Sequence, residues 1–164
     1  MMSPAEKQQR IDRFFAAHRE YGLPVTTQRR AVFDAIQHRA DHPTAEQLYR
    51  AVRAQLPQVS RMTVHRILGT FVSLGLVVRT CHPGSAARFD PKLHQHHHLV
   101  CLNCGRIVDV EDARLNRIPW PSVKSRDFEI EDYNIHFRGL CGQCRQKPRA
   151  RGRQRRLKAG RRNY

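Results

Sequence analysis

The chain has 164 residues, 40% of them hydrophobic, and a formal net charge of +16 at pH 7. This length allows one large domain or two small ones, each with its own core. The sequence has no apolar run near the roughly 18 residues that a membrane span needs, and the polar N-terminus lacks the apolar segment of a secretory signal, so we expect a soluble, cytoplasmic protein.

The excess of positive charge favours a polyanionic partner. Between Arg149 and Arg162, eight residues are Lys or Arg and none is acidic, and this segment supplies half of the net charge. The remaining chain is still basic, which points to nucleic acid. The alternative is a charge that serves solubility only. We expect the Arg-rich, low-complexity residues 147–164 to be disordered.

Four helices are predicted in the first half, each opened by a Ser or Thr that can cap the first turn. Ser3 with Glu6 has the capping-box pattern. The other three openings are Thr26-Thr27-Gln28, Thr44 and Ser60. Apolar residues then recur at helical spacing. In the fourth helix these are Val64, Ile67, Leu68, Phe71, Val72 and Leu74.

A small hairpin is predicted after the fourth helix. Residues 76–79 have strand composition, Pro83-Gly84-Ser85 suits a turn, and Ala87-Arg88-Phe89 can form the returning strand. Helices followed by a hairpin are typical of a winged helix-turn-helix. We therefore assign residues 1–85 to a winged-helix DNA-binding domain and 86–91 to a hinge.

The second half has a different character. Strands are predicted at 96–102 and 105–110, around a turn at 103–105. A short helix is predicted at 111–118, ended by Pro119-Trp120-Pro121. Apolar residues that alternate as in a half-buried strand follow it: Phe128, Ile130, Tyr133, Ile135 and Phe137.

Four of the five cysteines form two Cys-x-x-Cys pairs. In a reducing cytosol, such pairs favour metal over disulfides. Together they supply the four thiolates of a closed, tetrahedral zinc site, whose role is structural. The alternative is a set of redox-active or unpaired thiols. The fifth, Cys81, is expected to be a small buried hydrophobe. The predicted zinc ligands are Cys101, Cys104, Cys141 and Cys144.

A second candidate site lies just before the first cysteine pair. Residues 94–98 have the sequence His-Gln-His-His-His, and alternate histidines of a strand share one face, where they can converge on one metal. Asp90 and Asp109, near them in sequence, add oxygen ligands. A mixed His and Asp set suits Fe²⁺, Mn²⁺ or Zn²⁺. The alternative is a solvated polar strand.

The start of the fourth predicted helix is polar and basic, with the sequence Ser-Arg-Met-Thr-Val-His-Arg at 60–66. Recognition helices meet base edges and phosphates with such residues. The alternative is the exposed face of an ordinary helix, and the basic balance of the chain favours DNA contact.

Taken together, these features resemble the ferric uptake regulator (Fur) family of bacterial repressors. The likeness covers roughly residues 5–146 in the same order. The resemblance implies a homodimer with an N-terminal winged helix and a C-terminal α/β dimerisation domain, placed here at 92–146, that binds a double-stranded DNA operator. The matching segments are 27–29, 42–49, 60–66, 87–90, 96–109 and 139–144.

The resemblance also implies two metal sites. The four cysteines fall on the family's structural zinc site. One regulatory ion held by the DNA-binding domain, the hinge and the second domain would set the angle between domains, so that two recognition helices match successive major grooves. The regulatory ligands implied are His42, Asp90, His96, His98 and Asp109. The DNA contacts implied are Arg29, Ser60, Arg61, Thr63, His65 and Arg66.

Asp109 bears on the subtype. The iron-sensing branch usually has Glu here and the peroxide-sensing branch has Asp. The resemblance therefore implies a peroxide-responsive repressor loaded with Fe²⁺ or Mn²⁺, in which peroxide reacts with Fe²⁺ and oxidises His42 or His96. Two alternatives stay open: a repressor of iron or other metal homeostasis, and a constitutive zinc-ribbon nucleic-acid-binding protein. The chain has no H-E-x-x-H, nucleophile elbow or phosphate loop, so we do not expect an enzyme.

Three features depart from the family pattern. His65 stands where the family usually has Tyr, which bears on base preference. The Arg-rich tail is an addition expected to attract phosphates independently of sequence. Only one of the four residues at a further metal site of some members can ligate, so we predict that this site is absent. They are Gln95, His97, Asn116 and Tyr133.

Overall fold

The computed structural model describes residues 3–80, 86–121 and 130–146. Cys81, the predicted turn at 83–85, Phe128 and the basic tail lie outside the described residues. The elements, in chain order, are α1 (Pro4–Glu20), α2 (Thr27–Ile36), α3 (Ala45–Gln55), α4 (Arg61–Ser73), β1 (Val78–Thr80), β2 (Arg88–Asp90), β3 (His97–Cys101), β4 (Ile107–Val110), β5 (His136–Gly139) and α5 (Gly142–Gln146). None of the described helices is long and apolar enough to cross a bilayer.

The first four helices begin at the predicted caps. Ser3 Oγ accepts from the backbone N–H of Glu6, whose carboxylate accepts from the N–H of Ser3. Thr44 and Gln47 form the same reciprocal pair before α3. Each such cap contributes about 1 kcal/mol. The caps of α2 and α4 are Thr26 and Ser60.

One apolar core joins these helices to the β1–β2 hairpin. At its centre, the rings of Phe14 and Phe33 stack with centroids 4.4 Å apart, and Phe71 meets Phe14 edge-on at 5.9 Å. Phe89 of β2 is buried in the same core. Each large apolar side chain buried in this way stabilises the fold by about 2 kcal/mol. The core fixes α4 so that one face is buried and its polar face is exposed.

The hairpin is a two-stranded antiparallel sheet in which Val78 pairs with Asp90 and Thr80 with Arg88. The predicted strand at 76–79 begins two residues late. Leu76 and Val77 are instead buried in the helical core, where they link α4 to β1. Together, α3, α4 and the hairpin form the predicted winged helix-turn-helix.

A three-stranded sheet in the order β4-β3-β5 forms the second part of the fold. Strands β3 and β4 are antiparallel, and β3 and β5 are parallel, with Cys101 opposite Gly139. Val100 and Ile107 are buried on one face. On the other face Leu99, Val108 and Phe137 form an exposed cross-strand row.

Two predicted elements are shorter than expected. The helix predicted at 111–118 is a single 3₁₀ turn, Leu115–Arg117. At its predicted start, Asp112 Oδ1 accepts from the backbone N–H of Arg114 at 2.9 Å, a local turn that competes with helix formation, and so short a helix is marginal. The alternating run up to Phe137 is a strand only from His136 onward, where it pairs with β3.

Candidate metal centres

The two Cys-x-x-Cys segments meet at one end of the β3–β5 pair. Cys101 is the last residue of β3, and Cys141 and Cys144 follow β5, whose last residue lies opposite Cys101. The four sulfur atoms lie within 4.8 Å of one another. The Cys104 and Cys141 sulfurs are 3.8 Å apart. A tetrahedron with Zn–S bonds of about 2.3 Å has edges of about 3.8 Å, so this arrangement fits zinc.

The backbone around the cluster prepares it for a cation. Burial acts to raise the pKa of Cys101, but backbone N–H groups of Cys104, Cys141 and Asn103 point at its sulfur and lower that pKa to about 6. The pKa of Cys104 is raised to about 11: the backbone at Arg106 acts to lower it, but desolvation and the neighbouring thiols outweigh that effect. Four clustered sulfurs cannot all ionise without a cation to balance them, and a closed set of thiolates suits a structural Zn²⁺.

The second cluster brings together all five implied regulatory ligands. One donor atom from each of His42, Asp90, His96, His98 and Asp109 lies within 4.8 Å of every other. They come from the α2–α3 loop, the end of β2, the segment before β3, and the strands β3 and β4. All except Asp109 are buried, and the Asp109 side chain is 14% exposed.

The distances within this cluster match those around one metal ion. The Oδ2 atom of Asp90 lies 2.9 Å from His42 Nε2, 2.8 Å from His96 Nε2 and 3.6 Å from His98 Nε2. Bonds of about 2.1 Å place adjacent ligand atoms about 3.0 Å apart and opposite ones about 4.2 Å apart. The two shorter separations lie within about 0.2 Å of the value for adjacent ligands, and the third lies between the two values.

Two histidines are oriented so that Nε2 is left for a metal. His96 Nδ1 donates to the carbonyl of His94 at 2.8 Å. His98 Nδ1 donates to Asn134 Oδ1 at 3.2 Å, and Asn134 Nδ2 donates in turn to the carbonyl of His96 at 3.3 Å. Such bonds to the distal nitrogen fix the tautomer and ring angle of metal-binding histidines.

Buried donor atoms without hydrogen bonds support the same interpretation. His98 Nε2 has no hydrogen-bond partner, and Asp109 Oδ1 lies 3.0 Å from His42 Nε2 without hydrogen-bond geometry. Unsatisfied buried polar atoms are costly. A cation at the centre satisfies both, so the residues present fit a divalent metal.

The aspartate and histidine side chains of the cluster shift one another's pKa values. Burial acts to raise the pKa of Asp90, but contacts with His42, His96 and His98 outweigh it and hold that pKa well below its usual range. The bond to Asp90 raises the pKa of His96. Because metal ligands must be deprotonated, a divalent ion that binds here competes with protons for the His96 imidazole.

The remaining histidines of the segment do not join this cluster. The exposed His94 lies 3.4 Å from Glu111. His97 faces the other side of β3, where its ring stacks on Tyr133 with centroids 5.9 Å apart. Tyr133 in turn donates through its hydroxyl to the carbonyl of Leu115. His97 and Tyr133, two of the four positions of the further metal site considered above, thus contact each other.

The implied DNA-contacting residues lie mainly on the first two turns of α4. Ser60 caps that helix, and its hydroxyl lies 2.8 Å from Thr63 Oγ1. Arg61 is bound to Glu46 at 3.0 Å and lies over the ring of Tyr49. The other two residues on α4, His65 and Arg66, are exposed.

Arg29 lies apart from that group. It is partly buried on α2, and its guanidinium donates to the carbonyl of Pro24.

Three residues that shape the sites have no signal in the sequence. Asn134 orients His98, as described above. Arg88 donates through Nη1 to the carbonyl of His42 at 3.0 Å. Lys92 Nζ lies 2.8 Å from Asp109 Oδ2. All three act through contacts between residues distant in sequence, which no local pattern reveals.

Comparison with known proteins agrees with this geometry. The model of the ferric uptake regulator family matches residues 20–138. The peroxide-responsive repressor PerR of Staphylococcus aureus is 31% identical over 137 residues, which span 84% of this chain and 93% of that protein.

Solved structures share the fold. The ferric uptake regulator Fur of Helicobacter pylori has a TM-score of 0.69 at 21% identity, over 85% of this chain and 94% of that one. The ferric uptake regulator of Pseudomonas aeruginosa, in a structure with manganese, has a TM-score of 0.62 at 29% identity, over 77% of this chain and 96% of that one. By the matched span and the sequence identity, the chain belongs to the ferric uptake regulator family of metal-responsive transcriptional regulators.

Proposed function

We propose that the chain is a DNA-binding repressor that is active when its His/Asp cluster holds Fe²⁺ or Mn²⁺, and that peroxide releases it from DNA through the iron-loaded site. The observation that carries this proposal is that the five ligand residues come from two different parts of the fold. His42 and Asp90 belong to the helical part and its hairpin, and the other three belong to the β3–β4 region. One ion therefore links the two parts of the fold.

That link gives the metal control over DNA binding. We assign residues 1–85 to the DNA-binding domain, 86–91 to the hinge, which includes the strand β2 that pairs with β1 of that domain, and 92–146 to the dimerisation domain. An ion bound by ligands on both sides of the hinge favours the arrangement in which all five donors meet. Metal and DNA then stabilise each other's binding, because both prefer that arrangement.

The cysteine cluster has a different role in this proposal. Zn²⁺ bound by Cys101, Cys104, Cys141 and Cys144 joins the end of β3 to the segment after β5. A closed tetrahedral site leaves no position for another ligand. Zinc therefore stabilises the sheet that carries two of the regulatory ligands, His98 and Asp109.

The partner in the functional dimer is a second copy of this chain. Leu99, Val108 and Phe137 expose 48%, 41% and 40% of their surface in one row across the sheet. A contiguous apolar row of this kind is typical of a buried interface. A two-fold dimer places two α4 helices in successive major grooves, about 34 Å apart. Polar and basic side chains at the start of α4 make the contacts with DNA.

Asp109 and the likeness to PerR support peroxide as the signal. With Fe²⁺ bound, the metal supplies the redox chemistry that activates peroxide. The net change is that one imidazole carbon of His42 or His96 exchanges C–H for C–OH, and the peroxide is reduced to water. An oxidised imidazole is a poorer ligand, so the metal and the DNA are released.

A second candidate is a regulator of metal homeostasis that is indifferent to peroxide. The manganese-containing ferric uptake regulator structure from Pseudomonas aeruginosa, at 29% identity, favours it. A constitutive zinc-ribbon protein would bind DNA whatever the state of the His/Asp cluster.

Peroxide treatment separates the first two candidates. Protein that retains its zinc is loaded with Fe²⁺ or with Mn²⁺, bound to a family-type palindrome, and exposed to peroxide. Only for the iron-loaded protein do we expect release from DNA and one added oxygen atom on a peptide that contains His42 or His96. Iron-loaded protein that stays on DNA with unmodified histidines contradicts the peroxide proposal and supports the homeostasis alternative.

A further inference from the structure

In each of the two aspartates of the regulatory cluster, the two carboxylate oxygens have different contacts. Asp90 Oδ2 faces the three histidines, and Asp109 Oδ1 faces His42. The other oxygen of each aspartate is bound by the same residue. The backbone N–H of Lys92 donates to Asp90 Oδ1 at 2.8 Å, and its ammonium lies 2.8 Å from Asp109 Oδ2.

Lys92 is held in this place from a third direction. Its Nζ also lies 2.8 Å from Glu111 Oε1, just beyond β4. The Lys92 side chain is only 27% exposed, against 60% for Glu111. The ammonium is therefore anchored between two carboxylates, one in the regulatory cluster and one at the surface.

We propose that Lys92 is a positioning residue that keeps both aspartates as one-oxygen ligands and so leaves one coordination position of the regulatory metal free for a small oxygen ligand such as peroxide. This inference rests on the proposed function, because it requires a divalent ion in the His/Asp cluster.

The count of donors supports this reasoning. Five residues offer one atom each, and Mn²⁺ and related ions commonly take six ligands. A carboxylate whose two oxygens are both unhindered can bind through both. With its outer oxygen bound to Lys92, Asp109 cannot do so without breaking an ion pair. The sixth position then remains open to solvent-borne molecules.

The charge of Lys92 has a second effect. An ammonium bound to a ligand oxygen repels the metal ion and draws electron density from the carboxylate. Both effects weaken the affinity for a divalent ion. We therefore expect two effects when Lys92 is replaced by a neutral residue: the metal binds more tightly, and its free coordination position is lost.

The alternative is a purely structural ion pair at a partly exposed site, of the kind that contributes little. Such a pair would affect thermal stability without changing the hydration of the bound metal. Counting the water molecules on the metal therefore distinguishes the two roles.

The test uses the full-length, zinc-retaining protein loaded with Mn²⁺. Relaxation of bulk water protons by the bound ion reports water that exchanges on it, and a titration gives the Kd. For Lys92→Met we expect loss of the exchanging water and roughly tenfold tighter Mn²⁺ binding. Lys92→Arg keeps a cationic donor and should keep the water. Glu111→Gln leaves the contact between Lys92 and Asp109 and serves as the matched control, with unchanged hydration.

Two results would overturn the inference. The first concerns Lys92 alone, and the second also concerns the proposed regulatory site. A wild-type protein that binds Mn²⁺ with the same Kd and the same hydration as Lys92→Met contradicts the role of Lys92 alone. If the His98→Ala variant binds Mn²⁺ with the same Kd as the wild type, that result contradicts the proposed regulatory site, and the inference with it. Circular dichroism and zinc content show that each variant has folded.

Discussion

Arg88 donates its Nη1 to the backbone carbonyl of His42 over 3.0 Å, although the two residues are 46 positions apart. The N–H of Phe89 donates to the carbonyl of Pro43 at 3.0 Å beside it. These bonds hold His42 at a φ of 50°, a left-handed conformation that is uncommon for residues other than glycine. His42 and Asp90 are thereby fixed to one another before any metal binds.

Arg88→Met should weaken the regulatory site without touching a ligand. Loss of the bond to the His42 carbonyl lets the strained backbone relax, so His42 is no longer held toward Asp90. A loss of about 1 kcal/mol of preorganisation corresponds to a roughly fivefold higher Kd for Mn²⁺. Isothermal titration calorimetry of the zinc-retaining protein with Mn²⁺ measures that Kd. The exposed Arg79 on the neighbouring strand gives the control, and an equal effect of Arg79→Met would contradict the role given to Arg88.

Gly105→Ala tests the contact between the hairpin and the zinc cluster. Gly105 has a φ of 70°, and a Cβ there would lie 3.3 Å from Arg88 Nη2. The left-handed conformation alone costs about 1–2 kcal/mol for a residue with a Cβ. We expect a free energy of unfolding lower by that amount in urea melts. Gly139→Ala is the matched control, because a Cβ at Gly139 meets nothing within 4 Å. Equal stability of the two variants would show that Gly105 is not constrained.

Cys144→Ser should remove the structural zinc. Cys144 is buried on α5 and supplies one of the four sulfurs. Because a structural zinc site contributes directly to folding, we expect sub-stoichiometric zinc and a large fall in Tm. Chelator titration with a colorimetric zinc assay measures the first, and calorimetry the second. Cys81→Ser, at the fifth cysteine, should keep full zinc, and a zinc-replete Cys144→Ser protein would argue against the four-cysteine site.

Arg66→Ala should weaken DNA binding almost equally on all sequences. Arg66 is exposed near the start of α4, whereas Arg61 is already bound to Glu46. Loss of one phosphate contact lowers the slope of log K against log salt by about one. Binding of specific and scrambled duplexes at several salt concentrations provides the slope. Met62→Ala, which changes an exposed apolar side chain, should leave the slope unchanged, and an unchanged slope for Arg66→Ala would remove it from the phosphate-contacting residues.

Deleting residues 149–162 should reduce affinity for any duplex and flatten its salt dependence. The segment carries eight positive charges, and released counterions set that dependence. The metal requirement for specific binding should persist in the truncated protein. A truncation that abolished the metal response would place the tail within the switch.

The helical half of the fold could be predicted closely from the sequence. The caps at Ser3, Thr26, Thr44 and Ser60 are local patterns, and local hydrogen bonds carry them. The helix predicted at 111–118 was wrong in extent, because its first residues form a turn in which the Asp112 carboxylate accepts from the N–H of Arg114. Neither the parallel pairing of β5 with β3 nor its register is visible in any local pattern.

The candidate regulatory site likewise has a part that the sequence predicts and a part that it does not. Residue types and spacing predict the ligand sets, and the structure brings their donor atoms together. Their assignment as metal ligands stays a prediction. The contacts of Arg88, Lys92 and Asn134 depend on the folded geometry, so that only the structure reveals them.

DNA binding by fluorescence anisotropy during metal titration tests the central claim most directly. Zinc-retaining protein is mixed with a labelled family-type palindrome, and Fe²⁺, Mn²⁺ or further Zn²⁺ is added without oxygen. We predict tight binding that requires Fe²⁺ or Mn²⁺ and is lost in His98→Ala. Equally tight binding without added metal, in wild type and His98→Ala alike, would contradict a metal-controlled switch and leave a constitutive DNA-binding protein.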